Sequence, residues 1–196
     1  MEIEVKYKGE EGMDLFAHPL LAPFLGPRKK TPMSALYYDT PESGCAKAGF
    51  ALRLRQEGPE SVCTVKGGGV QDGVARRVEI EEKADTLDQG VQALLNRSDL
   101  PENWRDVLRG PFQEKARMEF CRLSALFSRE GLVVEVCRDQ GRIQAGDKEA
   151  PIDEWELELK EGPEEEFDTL RRELEKGLGL KGWEKSKFAR AMELLA

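Results

Sequence analysis

The strands of this chain alternate charge with grease. In MEIEVKYKGE, Glu2, Glu4 and Lys6 alternate with Ile3, Val5 and Tyr7. In PIDEWELELK, Glu154, Glu156, Glu158 and Lys160 alternate with Trp155, Leu157 and Leu159. A period of two specifies a β-strand with one charged and one apolar face. The pattern recurs between these segments. Arg53/Arg55 oppose Leu52/Leu54, Lys66 follows Val65, and Arg77/Glu79/Glu81 oppose Val78/Ile80. Arg117/Glu119 oppose Met118/Phe120, and Glu135 stands between Val134 and Val136. Two architectures satisfy all these faces. An open antiparallel sheet lays its apolar side on helices and its charged side in water. A closed sheet turns the charged side into a wet lumen and packs the apolar side against helices outside.

Two features favour closure. The charged rows contain arginines, the residues suited to planar, bidentate contact with phosphate or carboxylate. The acids are also crowded. Carboxylates at i and i+2 lie about 7 Å apart on one face, and at an effective dielectric near 20 they repel by roughly 2.4 kcal/mol. Water and salt relax this on an open surface. A lumen needs facing basic groups or a divalent cation, and oxygen ligands of this kind suit Mg²⁺ or Mn²⁺.

Strands are expected over Met1–Lys8, Met33–Thr40, Phe50–Gln56, Ser61–Lys66, Val74–Lys83, Lys115–Phe127, Leu132–Asp139, Arg142–Ala145 and Ile152–Glu161. Helical spacing marks Thr86–Leu95, Pro101–Leu108, Glu164–Lys176 and Trp183–Leu195. Met13–Leu25 reads as a short helix or loop, and Gly67-Gly68-Gly69 as a hairpin loop. Strands with helices between and after them make an α+β pattern, and the expected sheet is antiparallel. Either Tyr37 or Tyr38 faces any lumen.

Composition narrows the function classes. A net charge of -8 argues against a general DNA or RNA binder, which needs a basic footprint. The four cysteines, Cys45, Cys63, Cys121 and Cys137, form no C-x-x-C pair and read as reduced thiols, with a Cys121–Cys137 disulfide left open. A single histidine, His18, leaves no Ser-His-Asp or Cys-His arrangement. There is no signal-like leader and no apolar run of membrane-spanning length. The expectation is one domain over residues 1–196 of a soluble, cytoplasmic protein, with a homodimer left open.

EIEVK, YYDTP, ALRLR, TVKGGG, ARRVEIE, PIDEWELELK and KSKFARA follow one another along the whole chain. As an ordered set they resemble the CYTH superfamily, the triphosphate tunnel metalloenzymes, and among these the bacterial inorganic triphosphatases. The resemblance implies a closed eight-stranded antiparallel barrel with a charged lumen, helices packed outside, and a C-terminal plug helix. It implies a divalent metal held by Glu2, Glu4, Glu156, Glu158 and Asp139. It places Arg53, Arg55, Lys66, Arg77, Arg117 and Arg190 on substrate phosphates, with Arg122 as the competitor of Arg117 if the register differs. Lys6 would face phosphate, and Lys187 would lie near the attacking water; both are carried as catalytic candidates. The implied activity is hydrolysis of tripolyphosphate or a related small-molecule triphosphate. The alternatives are cyclisation of ATP to cAMP and non-catalytic polyphosphate or nucleotide binding.

Overall fold

Eight antiparallel strands close into a barrel in the order β1-β5-β4-β3-β2-β6-β7-β8 in the computed structural model, which describes residues 1–196. They are β1 (Glu2–Lys8), β2 (Lys29–Asp39), β3 (Phe50–Glu57), β4 (Glu60–Gln71), β5 (Val74–Lys83), β6 (Gln113–Arg129), β7 (Leu132–Ala145) and β8 (Lys148–Glu161). Closure is made by β1, which pairs with β5 through Glu2–Arg77 and with β8 through Glu4–Glu158. The helices are α1 (Gly44–Lys47), α2 (Leu87–Leu95), α3 (Glu102–Arg105), α4 (Glu164–Leu178) and α5 (Lys187–Leu195). Met13–Leu25 contains two single 3₁₀ turns, Leu15–Ala17 and Ala22–Phe24. No helix is long and apolar enough to cross a membrane. All four cysteines are free thiols.

The apolar faces go where the alternation sends them. Val5, Tyr7, Val134, Val136, Trp155 and Leu157 form one outer core with Phe167, Leu170 and Leu174 of α4. Leu52, Val65 and Ile80 form a second with Val91 and Leu94 of α2 and Trp104 of α3. Helix α4 starts at Pro163 with Glu164, Glu165 and Glu166 in its first turn, where the helix dipole favours acids, and ends on Gly179 in the left-handed region.

Two local expectations are corrected. Gly67–Gly69 is not a loop; β4 runs through it, and a Cβ on Gly67 would come within 2.6 Å of the Trp104 ring. Gly67 lets the strand lie against α3. Residues 132–145 form one continuous strand without a turn at Gln140-Gly141. Gly141 pairs with Phe120, and a Cβ there would stand 2.6 Å from the Phe120 Cβ. Its bare backbone lets β6 and β7 approach closely at that pair.

The third core lies inside the barrel. Ala35, Tyr37, Ala116, Met118, Ile143 and Ile152 share it with Ala191 of α5, and Phe188 and Met192 pack against it. Phe188 stacks on Tyr37 with centroids 5.0 Å apart. Helix α5 therefore closes one end of the lumen with apolar side chains and leaves the charged part open toward the other.

Candidate active site

Eight carboxylate side chains (Glu2, Glu4, Glu57, Glu79, Glu81, Glu135, Glu156, Glu158) and eight cationic ones (Lys6, Arg53, Arg55, Lys66, Arg77, Arg122, Lys160, Lys187) line a cavity of about 280 Å³. The lining is neutral by formal charge, and the two signs are interleaved. Lys66 Nζ lies 2.5 Å from Glu2 and 3.4 Å from Glu79. Arg53 reaches Glu79 at 3.2 Å, and Arg55 reaches Glu57 at 3.2 Å and Glu81 at 3.4 Å. Arg77 pairs with Glu4. Lys160 spans Glu135 at 3.2 Å and Glu158 at 2.8 Å. Pairing does not exhaust the donors: the Nε atoms of Arg53 and Arg55 are buried without a hydrogen-bond partner. Each such orphan costs about 1–3 kcal/mol, which an incoming anionic oxygen would relieve.

The deep end is a denser network. Arg122 donates to Asp139 through two parallel bonds, Nε at 2.8 Å and Nη2 at 2.7 Å, and from Nη2 to Glu156 at 2.6 Å. Lys187 enters from α5 and places Nζ 2.7 Å from Asp139 and 2.9 Å from Glu156, with Glu154 as its third carboxylate. Lys6 bridges Glu4 at 3.1 Å and Glu156. The carboxylate oxygens of Asp139, Glu154 and Glu156 lie within 4.8 Å of one another, a spacing a metal ion could bridge. Here the Lys187 ammonium occupies the middle of that group.

This geometry sorts the expected residues. Glu2, Glu4, Lys6, Arg53, Arg55, Lys66, Arg77, Glu156, Glu158 and Lys187 all line the cavity. Arg117 does not. It sits on the outer surface, half exposed, 3.3 Å from Glu114, and Glu119 pairs outside with Arg142. Strand β6 presents the opposite face, Met118, Phe120 and Arg122, to the lumen, because its apolar residues fill the plugged end. Arg122 holds the place expected of Arg117. Arg190 also lies off the cavity, bonded to Glu154 and the Pro151 carbonyl and stacked 4.6 Å from the Trp183 ring. Asp139 is fully buried at the deep end and does not line the cavity, both oxygens committed to Arg122 and Lys187. Of the two tyrosines, Tyr37 faces inward. Tyr37 thus settles the choice left open between the two, while Phe120 and Phe188 were absent from the expected site. The only trace of their role in the sequence is the aromatic position in β6, which the other phase of alternation had pointed outward.

Protonation follows from the same neighbours. Burial pushes Glu2 up to about 8, with Glu4 and Glu79 adding to the rise and Lys66 opposing it. Burial also acts against the Glu4 carboxylate, yet Lys6, Lys66 and Arg77 overcome it and hold that group down at about 2. Burial raises Glu158 despite Lys160. For Lys6 and Lys187 burial disfavours the charge, but their carboxylate partners prevail, and both stay ammonium ions across the accessible pH range. Glu2 makes a checkable difference. Its folded-state value lies above the ordinary carboxyl value of 4.5, so the folded chain holds a proton the unfolded chain has lost. Between pH 4.5 and 8 this group lowers stability as pH rises, by at most about 1.4 kcal/mol per unit. Metal-free Glu2→Gln should therefore melt higher than wild type at pH 8 and nearly level with it at pH 5. Equal melting differences at both pH values would refute the assignment.

A closed barrel with mixed acid and base rows inside is the architecture of a triphosphate tunnel. The family model described as the CYTH domain matches residues 1–192, and the chain belongs to the CYTH family. A curated relative is an inorganic triphosphatase of Haemophilus influenzae, 34% identical over 131 residues, which are 64% of this chain and 35% of that protein. The match thus spans about a third of that relative's length. Among solved structures, a candidate adenylyl cyclase from Hippeastrum found to have a dominant triphosphatase activity aligns over 98% of this chain and 96% of its own, with 25% identity and a TM-score of 0.62. A protein of Pyrococcus horikoshii OT3 shares the fold over 99% of both chains, with 18% identity and a TM-score of 0.58.

Proposed function

We propose that this chain hydrolyses inorganic tripolyphosphate, or a triphosphate of similar size, with Mg²⁺ or Mn²⁺ in the tunnel. The observation that carries the reading is the pair of orphaned arginine Nε donors, Arg53 and Arg55, inside a lumen whose opposite wall is acidic. Arg53, Arg55, Lys66, Arg77 and Arg122 bind and orient the phosphate oxygens. Their present partners are carboxylates, so an anionic chain replaces one oxygen acceptor with another at little cost in donor geometry. The family named in the matched relatives, an inorganic triphosphatase and a protein with dominant triphosphatase activity, supports the same chemistry.

The donor set fits a hard divalent ion. Glu4 and Glu158 stand directly opposite each other on β1 and β8, with Glu2 next on the same face. Burial, reinforced by neighbouring carboxylates, makes Glu2 and Glu158 resist ionisation despite Lys66 and Lys160. These three would hold the ion, Glu4 exchanging its contacts with Lys6, Lys66 and Arg77 for it, whereas Glu156 and Asp139 surround the Arg122 and Lys187 cations at the deep end. A bound divalent ion offsets charge on the reacting phosphoryl group and acidifies coordinated water. Lys6 and Lys187, as fixed ammonium ions, donate hydrogen bonds to phosphoryl or leaving oxygens; neither is a general base in this arrangement.

Size separates the substrates. About 280 Å³ falls just below the roughly 300–1,000 Å³ of pockets that enclose drug-sized ligands. The cavity's aromatic rings are engaged with one another or with cations, leaving no free platform for a base. A nucleoside would sit outside the tunnel. The test is incubation of the purified protein with Mg²⁺ or Mn²⁺ and tripolyphosphate, ATP or thiamine triphosphate, scoring phosphate, pyrophosphate and cAMP. Phosphate released fastest from tripolyphosphate is expected. Production of cAMP with pyrophosphate would make the chain a cyclase, and binding without turnover would make it a storage or sensing module.

A further inference from the structure

Glu154 has no part in the proposed binding of metal or phosphate, yet it is completely buried and carries a formal charge. It projects inward from β8, opposite Asp139 of β7, at the level where α5 closes the barrel. Both of its oxygens are spent on that helix. Oε1 accepts from Lys187 Nζ, and Oε2 accepts from Arg190 Nη1 at 2.8 Å. Lys187 and Arg190 are three residues apart, one above the other on one helix face. The second Arg190 nitrogen donates to the Pro151 carbonyl, also on β8. A single carboxylate thus grips the helix that delivers Lys187 to the tunnel.

The helix needs such a grip. It has nine residues, and isolated helices shorter than about 12–15 residues are marginal in water. Its apolar contacts, Phe188 on Tyr37 and the buried Ala191, hold it over the barrel end but do not set where the Lys187 ammonium points. The segment before it is tied down by one backbone bond, Trp183 N to the Lys6 carbonyl at 2.6 Å. The carboxylate trio around Lys187 is shared. Asp139 and Glu156 also serve Arg122, so Glu154 is the member whose contacts go to α5 alone among the hydrogen bonds of this network.

We propose that Glu154 is a positioning residue, a buried latch that docks α5 on the barrel and aims Lys187 into the tunnel. The catalytic consequence rests on the triphosphatase reading; the docking does not. Glu154→Gln keeps the side-chain volume but turns a donor toward one of two cations, so one grip is lost. Backbone amide exchange of residues 190–195 should speed up at least about tenfold in Glu154→Gln, with exchange in β1 to β8 little changed. With tripolyphosphate, kcat should fall about 10–100-fold while KM moves less than about threefold, the size of effect expected when a supporting hydrogen-bond partner is lost. Glu154→Asp, which keeps the charge, should recover part of both. Arg190→Met should reproduce the exchange increase, and the double variant should add little to either single one. Unchanged exchange in α5 in both Glu154→Gln and Arg190→Met overturns the latch. Faster exchange with kcat unchanged overturns the aiming of Lys187. Faster α5 exchange in a chain whose wild type turns over no triphosphate leaves the docking standing and refutes the triphosphatase reading.

Discussion

Arg122→Ala should lower tripolyphosphate turnover by about 10²–10³-fold, the usual loss when one preorganised donor to a developing charge is removed. The side chain is held by two parallel bonds to Asp139 and one to Glu156, so its guanidinium is fixed before any ligand arrives. Its removal also leaves Asp139, fully buried, with Lys187 alone. Breaking a buried ion pair costs about 3–5 kcal/mol, and a lower melting temperature is expected alongside the kinetic defect. Arg122→Lys separates the two effects. It restores positive charge, and with it part of the stability, but not the fork that meets carboxylate and phosphate in parallel. Arg117→Ala is the control, since that side chain is half exposed and pairs only with Glu114, a contact worth at most about 1 kcal/mol. It should retain near wild-type turnover. Equal losses in Arg117→Ala and Arg122→Ala would contradict the register of β6.

Glu4→Gln should be nearly as damaging, by a different route. Glu4 is almost wholly buried and touches Lys6, Lys66 and Arg77, which keep it ionised far below neutrality. Gln fills the same space without the charge. The acidic wall then loses its one reliably ionised member beside Glu2 and Glu158. Lewis-acid stabilisation of phosphoryl transfer is worth several kcal/mol, so turnover should drop at least about 10²-fold. Chelation of divalent ions should abolish wild-type turnover. Mn²⁺ should raise the melting temperature of wild type and leave that of Glu4→Gln nearly unmoved, because a ligand stabilises only the state that binds it. Turnover that survives both chelation and Glu4→Gln would remove the metal from the proposal.

Much of the site was legible in residue order. Wherever charged residues repeat at i, i+2 and i+4 with apolar residues between them, as in β1, β3, β5 and β8, the two faces cannot be confused, and Glu2, Glu4, Arg53, Arg55, Arg77 and Glu158 were placed correctly in the lumen. Strand β6 carries charge in both phases, with Arg117 and Glu119 in one and Arg122 in the other. The rule that apolar faces point outward failed there, since this barrel has dry surroundings in two places: beneath the outer helices and inside, under α5. Arg190 misled for a related reason. A cation on the plug helix can reach the tunnel or the wall beside it, and one helical turn decides which.

By itself, the order of residues determined that the strands would be two-faced, that their ionic faces would need one another, and that a lone histidine leaves no Ser-His-Asp or Cys-His arrangement. Period-two alternation and composition are local properties, and they survive without knowledge of neighbours. Tertiary structure alone decided which phase of β6 faces inward, which acids are already neutralised by Arg122 and Lys187, and which carboxylate holds the last helix. Each of these depends on pairings between residues 17 to 48 positions apart in the chain, as in Arg122–Asp139, Arg190–Glu154 and Lys187–Asp139. Ion pairing acts over a few ångströms of space, and only the closed barrel brings those groups within that distance.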